Sequence, residues 1–553
     1  MNDIRRTILW VIFGFSMVLL WDKWQVHNGN KAMFFPTSAP AATAAADSAA
    51  KPSVAGSAAV PTSATTAAAQ LPAAGTVAAP APRQAVEVTT DVFKLTFDSE
   101  GGSLVKAELL KYSDVENKDR AVVLLDDSKD RVYVAQTGLI GGGFPTHKTP
   151  MNVVPGPRTL KDGESELSVR FESPDLGGVK LIKTYTLRRG AYDLAVKHEV
   201  QNTGSAAVTP QIYFQLVRDG NKPPGESSFY STFTGPAAYT EAKKYQKVEF
   251  KDIENGKVDI QKESANGYVA MVQHYFASAW LLADGVQRDL FMRKVDTNLY
   301  SVGMIATLPS IAPGASQSLE ARFYAGPEEE KKLEALSPGL ELVKDYGWLT
   351  ILAKPLYWLL DKIHGLLGNW GWSIVGLVVL LKAAFFWLNA KAYSSMAKMK
   401  AINPKITEMR ERLKDKPQQM QQEMMRIYRE EKVNPMGGCF PIMIQIPVFI
   451  ALYWVLLSSV EMRNAPWILW ITDLSAKDPL YILPVIMTGT SLLQTWLNPT
   501  PPDPMQAKMM WIMPLVFSVM FFAFPAGLVM YWITNNILSI AQQWVINKRL
   551  GVN

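Results

Sequence analysis

Cysteine is nearly absent from these 553 residues, and the single one, Cys439, excludes an intramolecular disulfide. It adjoins an apolar run and reads as a small packing residue rather than a nucleophile. Metal-ligand spacing is missing, since His147, His198 and His274 are scattered, and no metal or other cofactor is expected. No Gly-rich phosphate loop is present, so nucleotide hydrolysis by this chain is not expected either. A long basic tract is lacking: 56 Lys and Arg against 50 Asp and Glu leave only +6, and nucleic acid is not an expected ligand. Residues 37–85 contain no aromatic side chain and are almost all Ala, Pro, Ser, Thr and Val. Such a stretch cannot bury enough surface to fold, so 26–85 reads as a flexible linker.

What is present divides the chain in two. Up to about Leu340 it is mostly polar or small, whereas from Trp348 apolar runs rich in Trp, Met and Phe alternate with short polar turns. One extramembrane domain joined to a membrane domain is the expected organisation. At the N-terminus, Arg5 and Arg6 precede an uncharged stretch, Thr7 to Trp21. It ends in Trp21-Asp22-Lys23-Trp24, where a cleavage site wants small residues, so 1–25 reads as a retained signal anchor. Five further apolar segments follow at about 370–390, 438–460, 480–497, 508–524 and 526–546. Basic residues crowd the segment after the first of these and the C-terminal end, where Lys548 and Arg549 stand. Six spans with both termini cytoplasmic place every basic concentration inside and the large polar domain outside, in a bacterium the periplasm.

Between 86 and 335 short alternating stretches are separated by Gly, Pro, Asp and Asn. Val92–Phe97, Leu104–Ala107, Leu167–Phe171, Val179–Leu187 and Tyr192–Gln201 predict a large all-β sandwich. Nothing in it has the spacing of an active site, and a docking or spacing module is expected. Residues 346–364 are too charged to span and read as an amphipathic helix lying in the outer interface. Between the second and third spans, 391–435, apolar residues at Ile402, Ile406, Met409 and Leu413, then Met420, Met424 and Ile427, predict a short antiparallel helical pair. Asn403-Pro404 suits the start of its first helix and Pro417 that of its second. Its basic surface, with Lys405, Arg410, Arg412, Lys414 and Arg426, fits a substrate- or partner-receiving arm, a solvated helical linker, or contact with anionic headgroups.

Lys382 is a lone charge within Ser373–Leu388. In a continuous helix it lies roughly 15 Å from Trp372 and about as far from Lys391, near the bilayer midplane. Even a mild insertion scale sets the cost of that placement at ~2.5–3.5 kcal/mol, so a hydrated cavity is expected around it. Polar residues at helical spacing on other spans supply candidates: Trp532, Asn535, Asn536, Ser539 and Gln543 on the last, Thr490 with Gln494 on the fourth, and Gln445 on the third. Taken singly, such residues also serve as interhelical hydrogen-bond glue.

Specific motifs add to this reading. Asn434-Pro435-Met436-Gly437-Gly438-Cys439-Phe440-Pro441 with Gln445-Ile446-Pro447, Ser395-Met396-Ala397-Lys398-Met399, Asp503-Pro504-Met505-Gln506 and Phe524-Pro525-Ala526-Gly527-Leu528 resemble the YidC/Oxa/Alb family of membrane insertases. His274-Tyr275-Phe276-Ala277-Ser278-Ala279-Trp280 resembles the outer domain of its Gram-negative members. The resemblance implies a polytopic α-helical membrane protein: a five-helix core (370–547) plus the N-terminal anchor helix, with a large periplasmic all-β super-sandwich. It implies a non-enzymatic insertase and chaperone of the inner membrane, with a groove open to cytoplasm and lipid but closed outside. Its clients would be nascent membrane proteins, its partners the Sec translocon with accessory subunits and, through the hairpin, ribosome or signal recognition particle components. Tyr531-Trp532 matches aromatic substrate-contact positions. The family's groove charge is often arginine; Lys382 keeps the charge without the planar fork. A secondary transporter would require internal repeats that are not evident here. A membrane-anchored carbohydrate-active enzyme is the other alternative.

Overall fold

A computed structural model describes residues 83–115, 117–224, 232–413, 416–431, 440–498 and 504–549. The N-terminal anchor, nearly all of the linker, Lys414 and the Asn434–Gly438 turn lie outside these residues. The chain divides between Lys344 and Asp345 into two compact units.

The first unit is an all-β sandwich of two nine-stranded antiparallel sheets. Where sequence alternates, strands form as spaced. Glu166–Glu172 buries Leu167, Val169 and Phe171 and pairs with Val179–Arg188, which pairs in turn with Asp193–Asn202. The central strands Val132–Ile140, Gln211–Asp219 and Leu299–Thr307 are buried along almost their whole length. With both faces covered they carry no period of two, and periodicity alone does not reveal them. The His274–Trp280 motif forms a tight turn, with Tyr275 at φ 71°, followed by the strand Phe276–Leu282. Its Trp280 is buried and donates from Nε1 to the Gln215 carbonyl across the sandwich (3.2 Å), so the motif serves packing.

The turn between Phe93–Asp98 and Ser103–Ser113 uses Gly101 and Gly102 at φ 70° and 58°. A Cβ at Gly101 would also lie 2.3 Å from the His147 carbonyl oxygen. This turn delivers two carbonyls to the sandwich interior. Lys183 Nζ donates to Gly101 O and Thr137 O (2.6 Å each), and Tyr185 donates to Gly102 O (2.7 Å). His198 Nε2 bonds the Thr137 hydroxyl at 2.8 Å, and Lys183 and His198 are both fully buried.

The second unit is helical: α1 (Thr350–Leu367), α2 (Trp370–Ala384), α3 (Phe386–Arg412), α4 (Pro417–Glu430), α5 (Phe440–Ser458), α6 (Ile482–Leu497), α7 (Pro504–Phe521) and α8 (Ala526–Arg549). α8 packs against α2, α3, α5 and α6, whereas α7 leans on α6. Ile374, Leu377, Leu452, Val455, Leu474, Phe524 and Val529 share one core. Along α1, Ala353, Tyr357, Leu360 and Ile363 are buried at helical spacing, while Ile351 and Leu366 are 87% and 86% exposed. It is a two-faced helix, shifted a few residues C-terminal to the expected 346–364 and stopped by Gly368 in the left-handed conformation.

Two expectations are corrected. The segment 370–390 is not one helix: it breaks at Phe385, and α2 and α3 meet at 68°. Hydrogen bonds to α8 on both sides of the break hold it, from Lys382 to Ser539 (2.7 Å) and from Gln542 to Phe386 O (3.1 Å). Lys382 therefore sits in the last turn of a 15-residue helix of about 22 Å, where the helix dipole favours a cation. Nor does a helix start at Asn403-Pro404, since α3 runs through Pro404 to Arg412. Pro404 lies on the exposed side, and Ile402, Ile406 and Met409 lock the opposite face against Met420, Met424 and Ile427 of α4. Among the described residues no single helix is long and apolar enough to cross a membrane. The bent α2–α3 pair passes together, and Gln445–Ser458, Ile482–Leu497 and Ala507–Phe521 are shorter apolar helices.

Candidate functional site

Lys382 opens onto a cavity, partly open to the outside, among α2, α3, α5 and α8. Its apolar walls are Val378, Leu381, Phe385, Leu388 and Val448, and its polar walls are Lys382, Asn389, Gln445, Tyr531 and Asn535. One hydrogen-bond chain organises the polar side. Lys382 Nζ donates to Ser539 Oγ (2.7 Å), Ser539 Oγ donates to Asn535 O (2.8 Å), and Gln445 Nε2 donates to Asn535 Oδ1 (2.7 Å). The half-buried ammonium thus meets a hydroxyl, and among the described residues no carboxylate lines the cavity. A lone cation in a low-dielectric, partly wet recess attracts an anionic group strongly.

The predicted polar stripe is split. Lys382, Gln445, Tyr531 and Asn535 share the cavity. Asn536 turns instead to α6, donating to Thr490 Oγ1 (3.2 Å) and Ser491 Oγ (2.9 Å). Gln543 donates to Leu497 O (3.2 Å) and Asn498 Oδ1 (3.1 Å). Thr490 and Asn536 therefore tie α6 to α8, and half-buried Gln494 is not among the cavity walls. Tyr531 stacks on Phe449 with ring centres 5.9 Å apart, and Trp532 packs edge-on against Phe449 (4.8 Å) and tilted against Phe521 (5.1 Å). The partner of Lys382, Ser539, stands at i+4 from Asn535, a spacing visible in sequence.

On the hairpin several of the singled-out cations are engaged at home. Lys405 bridges to Glu431 (2.5 Å), which raises its amine above the usual lysine range. Arg426 pairs with Glu423 (3.0 Å) and Glu430 (3.2 Å), and Arg412 reaches Glu423 at 3.9 Å. Solvent screens such exposed pairs, so each contributes little. Arg410 is half-buried.

Residues 85–359 match the YidC periplasmic domain model and residues 362–552 the 60Kd inner membrane protein model. The chain belongs to the YidC family of membrane protein insertases. A membrane protein insertase YidC of Cupriavidus taiwanensis is 56% identical over 560 residues, spanning 99% of this chain and 98% of its own. One from Ralstonia nicotianae is 55% identical over 561 residues, spanning 100% and 99%. A crystal structure described as an active YidC insertase with the first transmembrane domain resolved is 20% identical. It covers 83% of this chain and 93% of its own, with a TM-score of 0.39. The chain is accordingly an inner membrane protein with a periplasmic β domain and acts as an insertase, not an enzyme.

Proposed function

We propose that the cavity beside Lys382 is the client groove of the insertase. An apolar segment of a newly made protein arrives at the α3–α4 hairpin and slides along α5 and α8. Lys382 and the Gln445–Asn535 pair meanwhile lower the cost of drawing its acidic, hydrated flank part-way into the membrane. Burial of the span in lipid then releases it sideways. In this reading the hairpin and both termini are cytoplasmic, and the ends where α2, α6 and α8 begin face the periplasm. The chain spans the inner membrane six times, counting the N-terminal anchor. The Sec translocon, its accessory subunits, and ribosome or signal recognition particle components at the hairpin are the expected partners. The observation that supports this most directly is a cavity holding a cation with no carboxylate among its described walls.

Photo-crosslinking separates groove from glue. With a crosslinking amino acid placed singly at Gln445, Tyr531 or Asn535, a one-span client stalled during insertion is expected to be captured. At Thr490 or Asn536, which face each other across α6 and α8, capture is expected to fall at least fivefold. Equal yields from the two sets would remove Lys382's cavity as the path.

A further inference from the structure

The segment 459–481, between α5 and α6, lies away from the cavity yet is tied to several helices. Tyr357 of α1 donates to Glu461 (2.5 Å), and Asn369, which caps α2, donates to Pro466 O (3.0 Å). At the start of α8, Ala526 N and Gly527 N donate to Ala476 O (2.8 Å) and Leu474 O (2.9 Å). Trp467 lies so close over α2 that a Cβ on Gly371 would fall 2.3 Å from its ring. Inside the loop, Asp478 is 1% exposed. Its Oδ1 accepts from Leu480 N and Trp470 Nε1 (3.0 Å each), and its Oδ2 accepts from Leu483 N (2.7 Å). One carboxylate thus caps α6 and pins the loop's tryptophan.

The loop closes something. Its Met462, Ile471 and Leu474 are buried in the same core as Ile374 and Leu377 of α2. Those two residues lie within the turn before Val378, the first α2 residue of the cavity wall. Apolar side chains held by the loop therefore stand between the polar recess and that end of the bundle, although Met462 and Leu474 also line a small apolar void against α5 and α8. A recess built to admit water and charge needs such a barrier, because a continuous wet path would short-circuit the membrane potential.

We infer that Asp478 is the positioning residue of a seal, locking the 459–481 loop over the blind end of the groove so that clients leave sideways and ions do not follow. This rests on the groove reading above. Only a carboxylate suits the place: both its oxygens accept, and three N–H donors converge on them. Asparagine has the same shape but turns an NH2 group against at least one N–H. Asp478→Asn therefore loosens the loop without changing its volume.

The test reconstitutes the full chain in phosphatidylethanolamine–phosphatidylglycerol vesicles and follows proton entry with a trapped pH-sensitive dye under a potassium diffusion potential. The native chain is expected to leak no faster than protein-free vesicles and Asp478→Asn at least tenfold faster. Trp470→Phe, which deletes one donor, and Gly371→Ala, which pushes Trp467 off α2, should leak to lesser degrees. Client capture from a crosslinker at Gln445 should be unchanged in all three, which a general loss of folding would not allow. A tight Asp478→Asn protein that still captures client overturns the seal. If Asp478→Asn does not fold, tight vesicles from both other variants overturn it equally. Failure of the native chain to capture client at Gln445 would strike the groove reading, a result distinct from any leak.

Discussion

Lys382→Glu is expected to lower insertion of clients with an acidic flank by more than a hundredfold in proteoliposomes, scored by protease protection. The native ammonium gains about 4 kcal/mol from a carboxylate at roughly 4 Å when the effective dielectric is near 20, before desolvation is subtracted. Reversal turns that gain into a repulsion of similar size, and even a third of the resulting swing is about 2.7 kcal/mol, a hundredfold. The fold should tolerate the change, because Ser539 Oγ, now the acceptor from Lys382, can rotate to donate to a carboxylate. Lys382→Ala removes the attraction without adding repulsion. It should cost acidic-flank clients about tenfold, neutral-flank clients at most twofold, and Lys382→Arg should approach the native rate. A glutamate that inserts acidic-flank clients at the native rate would refute the electrostatic role.

The second large effect concerns the β sandwich, which is expected to loosen as pH falls. Burial pushes the Lys183 amine down to about 7, and it holds the His198 imidazole well below its ordinary range, with the Lys183 charge adding to the effect. Among the described residues, the ionisable groups nearby are these two, Tyr185 on the lysine's own strand, and His147 with Tyr213, whose hydroxyl lies 2.5 Å from His147 Nδ1; no carboxylate acts on the pair. The unfolded chain protonates lysine near 10.5, so between there and about 7 it binds more protons than the folded one. Stability therefore drops through that window as pH falls. Below about 6.5 the same holds for His198, and the loss continues. Lys183 alone is worth a few kcal/mol over its window, on the order of one per pH unit traversed, and His198 adds in the same direction. Hydrogen exchange of the full chain, corrected for intrinsic rates, should show protection of Val132–Ile140 and Asp193–Asn202 declining steadily from pH 9 to 5. Lys183→Met should flatten the part above pH 7 and leave the part below it. A protection profile independent of pH in the native chain would contradict both assignments.

Much of this architecture is written in local chemistry. Leu167, Val169 and Phe171 alternate with polar neighbours, so one face and one register suffice to place them. Lys382 stands out because nothing else charged lies between Ser373 and Leu388. The central strands stay hidden because burial on both faces erases alternation. The polar stripe of α8 illustrates a subtler limit. Asn535 and Asn536 are adjacent and so point about 100° apart, and only packing decides that the first meets Gln445 while the second meets Thr490. The depth of Lys382 is hidden for another reason: the break at Phe385 has no proline or glycine to announce it, and the hydrogen bonds that flank it come from Ser539 and Gln542, more than 150 residues away. Asp478, by contrast, left a trace, an Asp-Pro pair just ahead of an apolar helix.

The unbroken course of α3 has a mechanical side. Its 27 residues form a stiff rod of about 40 Å from Phe386, four residues past Lys382, to Arg412 at the hairpin. Were the rod to pivot at the break beside Phe385, a tilt of about 10° would displace its far end by roughly 7 Å. A push at the tip would then be felt at the recess wall that α3 supplies through Leu388 and Asn389.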